Sequence, residues 1–146
     1  MKNKIISWLG LSEANETLSA PSIEHAATVL MVEIMHADHY WDDVEAEKIV
    51  SLLIGAFQFT EQDARDTLKE AQESVDKSND LYYFTRVVNE HYKMPQKEAL
   101  IKSLWKVAYA DNEVDRYEEH MIRKIAELLY VPHSRFIKAK LDAIEE

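Results

Sequence analysis

AYADNEVDRYEEH, residues 108–120, sets five carboxylates within nine positions of a chain whose apolar residues otherwise recur at helical spacing. A related stretch, MHADHYWDDVEAE, occupies residues 35–47. Each reads Ala-Asp, then Asp four positions on, then Glu three further. An offset of 73 positions overlays the two halves of the chain. Ala37, Asp38, Asp42, Glu45 and Ile49 fall on Ala110, Asp111, Asp115, Glu118 and Ile122. Met31, Ile34, Leu52, Leu53, Ala56 and Leu68 fall on Leu104, Val107, Ile125, Ala126, Leu129 and Leu141. Core pattern and loop chemistry repeat together. The expected fold is all-α: one compact domain of about seven helices, built from duplicated three-helix units about a pseudo-twofold axis. LYYFTRVVNEHY, residues 81–92, lies between the units.

Working outward, IEHAATVLMVEIMHA carries apolar residues at Ala27, Leu30, Met31, Ile34 and Met35, the period of a buried helix face. Asp42 is a candidate N-cap for a second helix through Ile49, Leu53 and Phe57. Thr60, with Asp63 in the first turn, opens a third. DKSND (76–80) breaks it, and Asp80 or Asn79 can cap the central helix. Pro95 suits a first helical turn, Asp115 caps RYEEHMIRKIAELLY, and VPHS leads into a last helix. SEANETLSAPS (12–22) reads as a linker. Residues 1–22 are therefore expected as a short N-terminal helix and linker, and 23–146 as the helical domain.

The chain has 146 residues, enough to bury a core without disulfides or metal. Its two glycines and three prolines suit long helices rather than hairpins. Cysteine is absent, which removes disulfide and thiol chemistry and fits a reducing, cytoplasmic compartment. A net charge of −10 argues against nucleic acid and anionic lipid, and allows cations or basic protein partners. No apolar run approaches a membrane span. The start, MKNKIISWLGL, lacks a full signal-peptide core and reads as a short amphipathic helix.

The acids admit two readings. Asp42 and Asp115 stand at N-cap positions with Glu45 and Glu118 three residues on, so Asp-x-x-Glu can work as a capping box. Capping does not account for Asp38 and Asp111, which end the preceding helices where the macrodipole disfavours an anion. Nor does it account for Glu113. Asp111, Glu113 and Asp115 alternate, so one turn could aim all three at a point that Glu118 joins. Hard carboxylate oxygens suit Ca²⁺, Mg²⁺ or Mn²⁺ better than Zn²⁺. The 1-3-5 acid spacing is that of an EF-hand, but Arg116 and Ile122 replace its glycine and final glutamate. The first loop has Tyr40 in place of Glu113, and offers His36 and His39 beside Asp38 for a transition metal. Candidate ligands are thus Asp111, Glu113, Asp115 and Glu118, with Asp38, Asp42 and Glu45.

WKVAYADNEVDRYEEHMIRKIAELLYVPHSRFIKAKLDA resembles the C-terminal half of the TerB-like family, named for tellurite resistance, in its small stand-alone branch. ADHYWDDVEAEKIVSLL resembles the family's first acidic loop and LYYFTRVVNEHY its central helix. The likeness covers roughly residues 23–142. It implies an all-α fold of about seven helices, paired acidic loops suspected of binding divalent cations, and a link to bacterial metal or chemical stress. Family loops often read Ala-Asp-Gly; here His39 and Asn112 stand at that glycine, and Asn tolerates positive φ. Val114 and Trp41 match the following hydrophobic position.

Other groups carry less chemistry. Arg86 and Glu90, at i and i+4 on the central helix, can pair on the surface or line a groove between the halves. Trp105, Tyr109, Tyr82 and Phe84 read as core. Ser134 has no base within reach, and no phosphate loop, nucleophile elbow or His-Glu-x-x-His occurs. The function expected is non-enzymatic. A divalent cation orders the acidic loops and with them a surface for an unidentified protein partner. The alternative is an interaction module whose acids are only caps and a docking face for a basic partner. A metal-dependent enzyme is a third.

Overall fold

The computed structural model describes residues 22–36, 42–77 and 80–145. They form seven α-helices and, among the described residues, no strand. These are α1 (Ile23–Met35), α2 (Asp43–Phe57), α3 (Glu61–Lys77), α4 (Leu81–His91), α5 (Met94–Ala108), α6 (Arg116–Leu128) and α7 (His133–Glu145). Of the N-terminal helix and linker expected over 1–22, all but Ser22 lies outside the described residues, as do Asp38, His39, Tyr40 and Trp41. No helix of the described residues is long and apolar enough to cross a membrane.

α1 is apolar around nearly its whole circumference, from Ala26 to Met35, and such a helix must be enclosed. Its one buried hydroxyl, on Thr28, donates to the Glu24 carbonyl at 2.7 Å, so no polar group is stranded there. α5 is its counterpart, burying Leu100, Ile101, Leu104, Trp105, Val107 and Ala108. Each large side chain fully enclosed here contributes roughly 1.5–3 kcal/mol. α1 packs mainly on α3, and α5 mainly on α7. Across the middle, α1 meets α5, α2 reaches over to α5, and α6 reaches over to α1. The units depart from one another in that α2 lies along α3 while α6 makes little contact with α7 and touches α4 instead.

Local chemistry starts the helices, at Thr60 and Asp80 as the sequence predicts and at Ser22, the last residue of the expected linker. Ser22 Oγ accepts from His25 N, Thr60 Oγ1 from Asp63 N and Asp80 Oδ1 from Tyr83 N, each satisfying an orphan amide of a first turn. Pro95 lies in the first turn of α5, where its missing N–H costs nothing. α6 ends in a Schellman motif, with Val131 N donating to Ala126 O at 2.9 Å and Tyr130 N to Glu127 O at 3.0 Å. α1 and α5 each run into one of the acidic loops. Because α2 and α6 cross onto the opposite units, their first turns come together at one end of the molecule.

Candidate functional site

The first turn of α2 supplies Asp42 and Glu45. Asp42 has extended backbone and its Oδ1 accepts from Val44 N at 2.8 Å and Glu45 N at 3.1 Å. Glu45 lies one turn in and is 2 % exposed. The second loop is wound more tightly. Asp111 Oδ1 accepts from Glu113 N at 3.1 Å. Asn112 takes φ 68°, the left-handed conformation its residue type tolerates. Asp115 Oδ1 accepts from Tyr117 N at 2.7 Å. Glu118, also 2 % exposed, reaches back so that its Oε1 accepts from Asp115 N at 2.9 Å, completing a capping box.

Glu45 and Glu118, equivalent under the 73-residue offset, meet across the junction and share a hydrogen bond. Burial pushes the Glu45 carboxyl up to about 10, reinforced by that bond and by the charges of Glu118, Asp42 and Asp111. Every one of these influences acts in the same direction. The crowding favours the protonated form of Glu45, so the pair holds a proton between its two carboxyls. Carboxylate oxygens of Asp42, Glu45 and Asp111 all lie within 4.8 Å of one another, close enough to share one cation. The group grades from buried Glu45 through half-buried Asp42 to exposed Asp111, so an ion would reach it from solvent.

The grouping draws on both loops, not on the second alone. Asp42 and Glu45 come from one, Asp111 from the other, and Glu118 joins through Glu45. Glu113 and Asp115 are not members of the group. Glu113 is exposed, and Asp115 is occupied as the α6 cap. Asp38 lies outside the described residues. His36 forms the C-cap of α1 and is not in the group either. The Glu45–Glu118 contact is what residue-by-residue reading misses. The signal in the sequence was the 73-position offset, which pairs Glu45 with Glu118.

Elsewhere the aromatic reading needs one correction. Trp105 is fully buried and Phe84 nearly so, but Tyr82 is 61 % exposed and is not core. α4 packs one face on α1, and Tyr82 lies on the other. Arg86 stacks over the Tyr82 ring, 5.8 Å from its centroid, instead of pairing with Glu90. Asn89 Nδ2 donates to Leu128 O at 3.0 Å and ties the central helix to the end of α6.

No curated protein and no solved structure matches the chain significantly. A protein family does. Its description is tellurite resistance protein TerB, and the match runs over residues 24–141, from the first turn of α1 to within the last turn and a half of α7. With a match spanning most of its length and both acidic loops, the chain belongs to the TerB family.

Proposed function

We propose that this protein is a non-enzymatic, cytoplasmic TerB domain whose two acidic loops together hold one divalent cation, and that the ordered surface serves a metal- or tellurite-related stress response through a protein partner. Asp42, Glu45 and Asp111 are the ligands, with Glu118 behind Glu45. The supporting observation is the buried Glu45–Glu118 pair facing Asp42 and Asp111. Carboxylates crowded out of water repel unless a proton or a cation lies between them. All the ligand atoms are hard oxygens, which favours Ca²⁺, Mg²⁺ or Mn²⁺ over Zn²⁺. Entry of the cation displaces the Glu45 proton, so affinity rises with pH.

A second reading has its own observation. Asp42 and Asp115 both cap helices, and Glu118 completes a capping box. On that reading the acids are structural and present a docking face to a basic partner. Thermal unfolding of chelated protein, titrated with each of the four ions, separates the two. A ligand at a hundred times its Kd adds about 2.7 kcal/mol. For a chain of this size the midpoint then rises by roughly 5–10 °C. A saturable rise, lost in Asp111→Asn, supports the cation site. No rise with any ion at millimolar concentration sinks it and leaves the docking face.

A further inference from the structure

Among the described residues, three other than glycine adopt positive φ: Gln58, Asn112 and Tyr130. Two explain themselves. Gln58 donates its side-chain amide to Gly55 O at 3.2 Å, capping the helix it ends. Asparagine is the residue type that tolerates this conformation best after glycine. Tyr130 has neither excuse. It occupies the left-handed position of the α6 Schellman motif at φ 61°, where glycine fits without steric cost. Its ring is 71 % exposed. Within the chain it gains a weak contact, the Lys97 ammonium 5.8 Å from the ring centroid. A strained backbone that displays an aromatic ring to solvent is the kind of outlier that marks a binding surface.

Its surroundings complete that surface. Tyr130 borders a notch of about 220 Å³ between α4 and the end of α6, lined also by Tyr82, Arg86, Asn89, Glu90 and Leu128. The notch is about the size of one aromatic side chain. Two exposed tyrosines flanking an arginine is the composition of an interface centre. Arg86 and Glu90 stand one turn apart on the exposed face of α4, and among the described residues no ion pair joins them. Opposite charges side by side on one helix make a patch complementary to itself. Two copies of α4 running antiparallel about a twofold axis place Arg86 of each against Glu90 of the other.

We infer that the notch between α4 and the end of α6 binds a second copy of this chain, with Tyr130 of each copy seated in the notch of the other and Arg86 paired reciprocally with Glu90. The interface is isologous, as a closed dimer requires. It lies apart from the acidic loops and does not depend on the cation reading.

Sedimentation of the full chain, from micromolar to millimolar concentration, tests this with three variants. Wild type is expected to dimerise reversibly. Arg86→Glu sets like charges together twice and should weaken the dimer by about 100-fold. The double exchange Arg86→Glu with Glu90→Arg restores both pairs and should restore the dimer. Tyr130→Gly should weaken the dimer and yet raise the melting midpoint by about 2–4 °C at a dilution where wild type is monomeric. A wild type that stays monomeric throughout overturns the inference and leaves the notch to a different protein. So does a dimer indifferent to Arg86→Glu, or one that the double exchange fails to restore. A fall in the midpoint of Tyr130→Gly would make the ring a structural prop for Lys97, and would also overturn it.

Discussion

The two acidic loops carry the same Asp-x-x-Glu yet put the glutamate to different use. In the second loop Glu118 turns back on its own chain and accepts from Asp115 N. In the first, no bond closes from Glu45 onto Asp42; Glu45 faces across the junction to Glu118, and the pair holds a proton between them. One copy completes a helix start. The other reaches the facing loop and sits within ligand distance of Asp42 and Asp111. The difference teaches that a motif repeated by sequence need not be repeated by role. The two glutamates share one space, and once Glu118 has turned to the backbone, Glu45 is left to answer for the remaining charge.

The largest expected effect separates the two glutamates by pH. The Glu45 carboxyl carries its proton into the fold under conditions where the unfolded chain has lost it. Its contribution to stability is therefore full below the ordinary 4.5 and is lost progressively as pH rises toward about 10. Chelated wild type should lose stability across that window. Glu45→Gln is neutral at every pH, so it should match wild type near pH 4 and exceed it by up to about 3 kcal/mol near neutrality. It should also abolish the cation-induced rise. Denaturant unfolding at several pH values, with and without ion, checks both; a Glu45→Gln curve parallel to wild type would show that the carboxyl titrates normally.

Glu118 should respond to shape more than to charge. Glutamine at the third helical position still accepts from the cap amide, so Glu118→Gln should keep the α6 start and lower the crowding on Glu45. Alanine cannot. Glu118→Ala should be about 1–2 kcal/mol less stable than Glu118→Gln at any pH, read from the same unfolding curves. If glutamine proves as costly as alanine, the backbone bond is not what holds Glu118.

The legible parts of this structure are those decided within a few residues. Thr60, Asp80 and Asp115 cap the helices assigned to them, because a cap is a bond to an amide two or three positions ahead. α1 and α5 were legible because their apolar residues allow only enclosure. Less follows from the alternation of Asp111, Glu113 and Asp115. It suggests three side chains converging, but Asn112 turns the backbone through φ 68° and Asp111 accepts from Glu113 N, so the loop does not run straight. Tyr82 has the spacing of a core residue, and only the tertiary packing of α4, whose opposite face meets α1, leaves it exposed. The all-α class followed from the few glycines and prolines and from the helical period of the apolar residues. The meeting of Glu45 with Glu118 joins residues 73 positions apart, a contact that only the tertiary packing decides.

Matched caps give a smaller effect and a cleaner contrast. Asp42→Ala and Asp115→Ala each remove one cap, at about 1 kcal/mol. Stability alone should not tell them apart. The cation response should: Asp42→Ala removes a ligand as well as a cap and should lose the thermal rise, while Asp115→Ala should keep it. Equal loss in both would mean that the second loop supplies the ligands by itself, as the spacing of its acids suggests.

The smallest effect is the most discriminating. Asp111→Asn retains a side-chain oxygen that can accept from Glu113 N, so the turn persists and only the charge goes. Glu113→Gln removes a charge of the same sign two residues away, on an exposed side chain outside the group. Without ion, both should stay within about 0.5 kcal/mol of wild type. With ion, Asp111→Asn should lose its rise and Glu113→Gln should keep nearly all of its own. General attraction of cations to an acidic end would weaken both alike and fade with salt over about 8–10 Å. A site with fixed ligands distinguishes neighbours, and a response confined to Asp111 would place the ion between the two loops, where the buried glutamates meet.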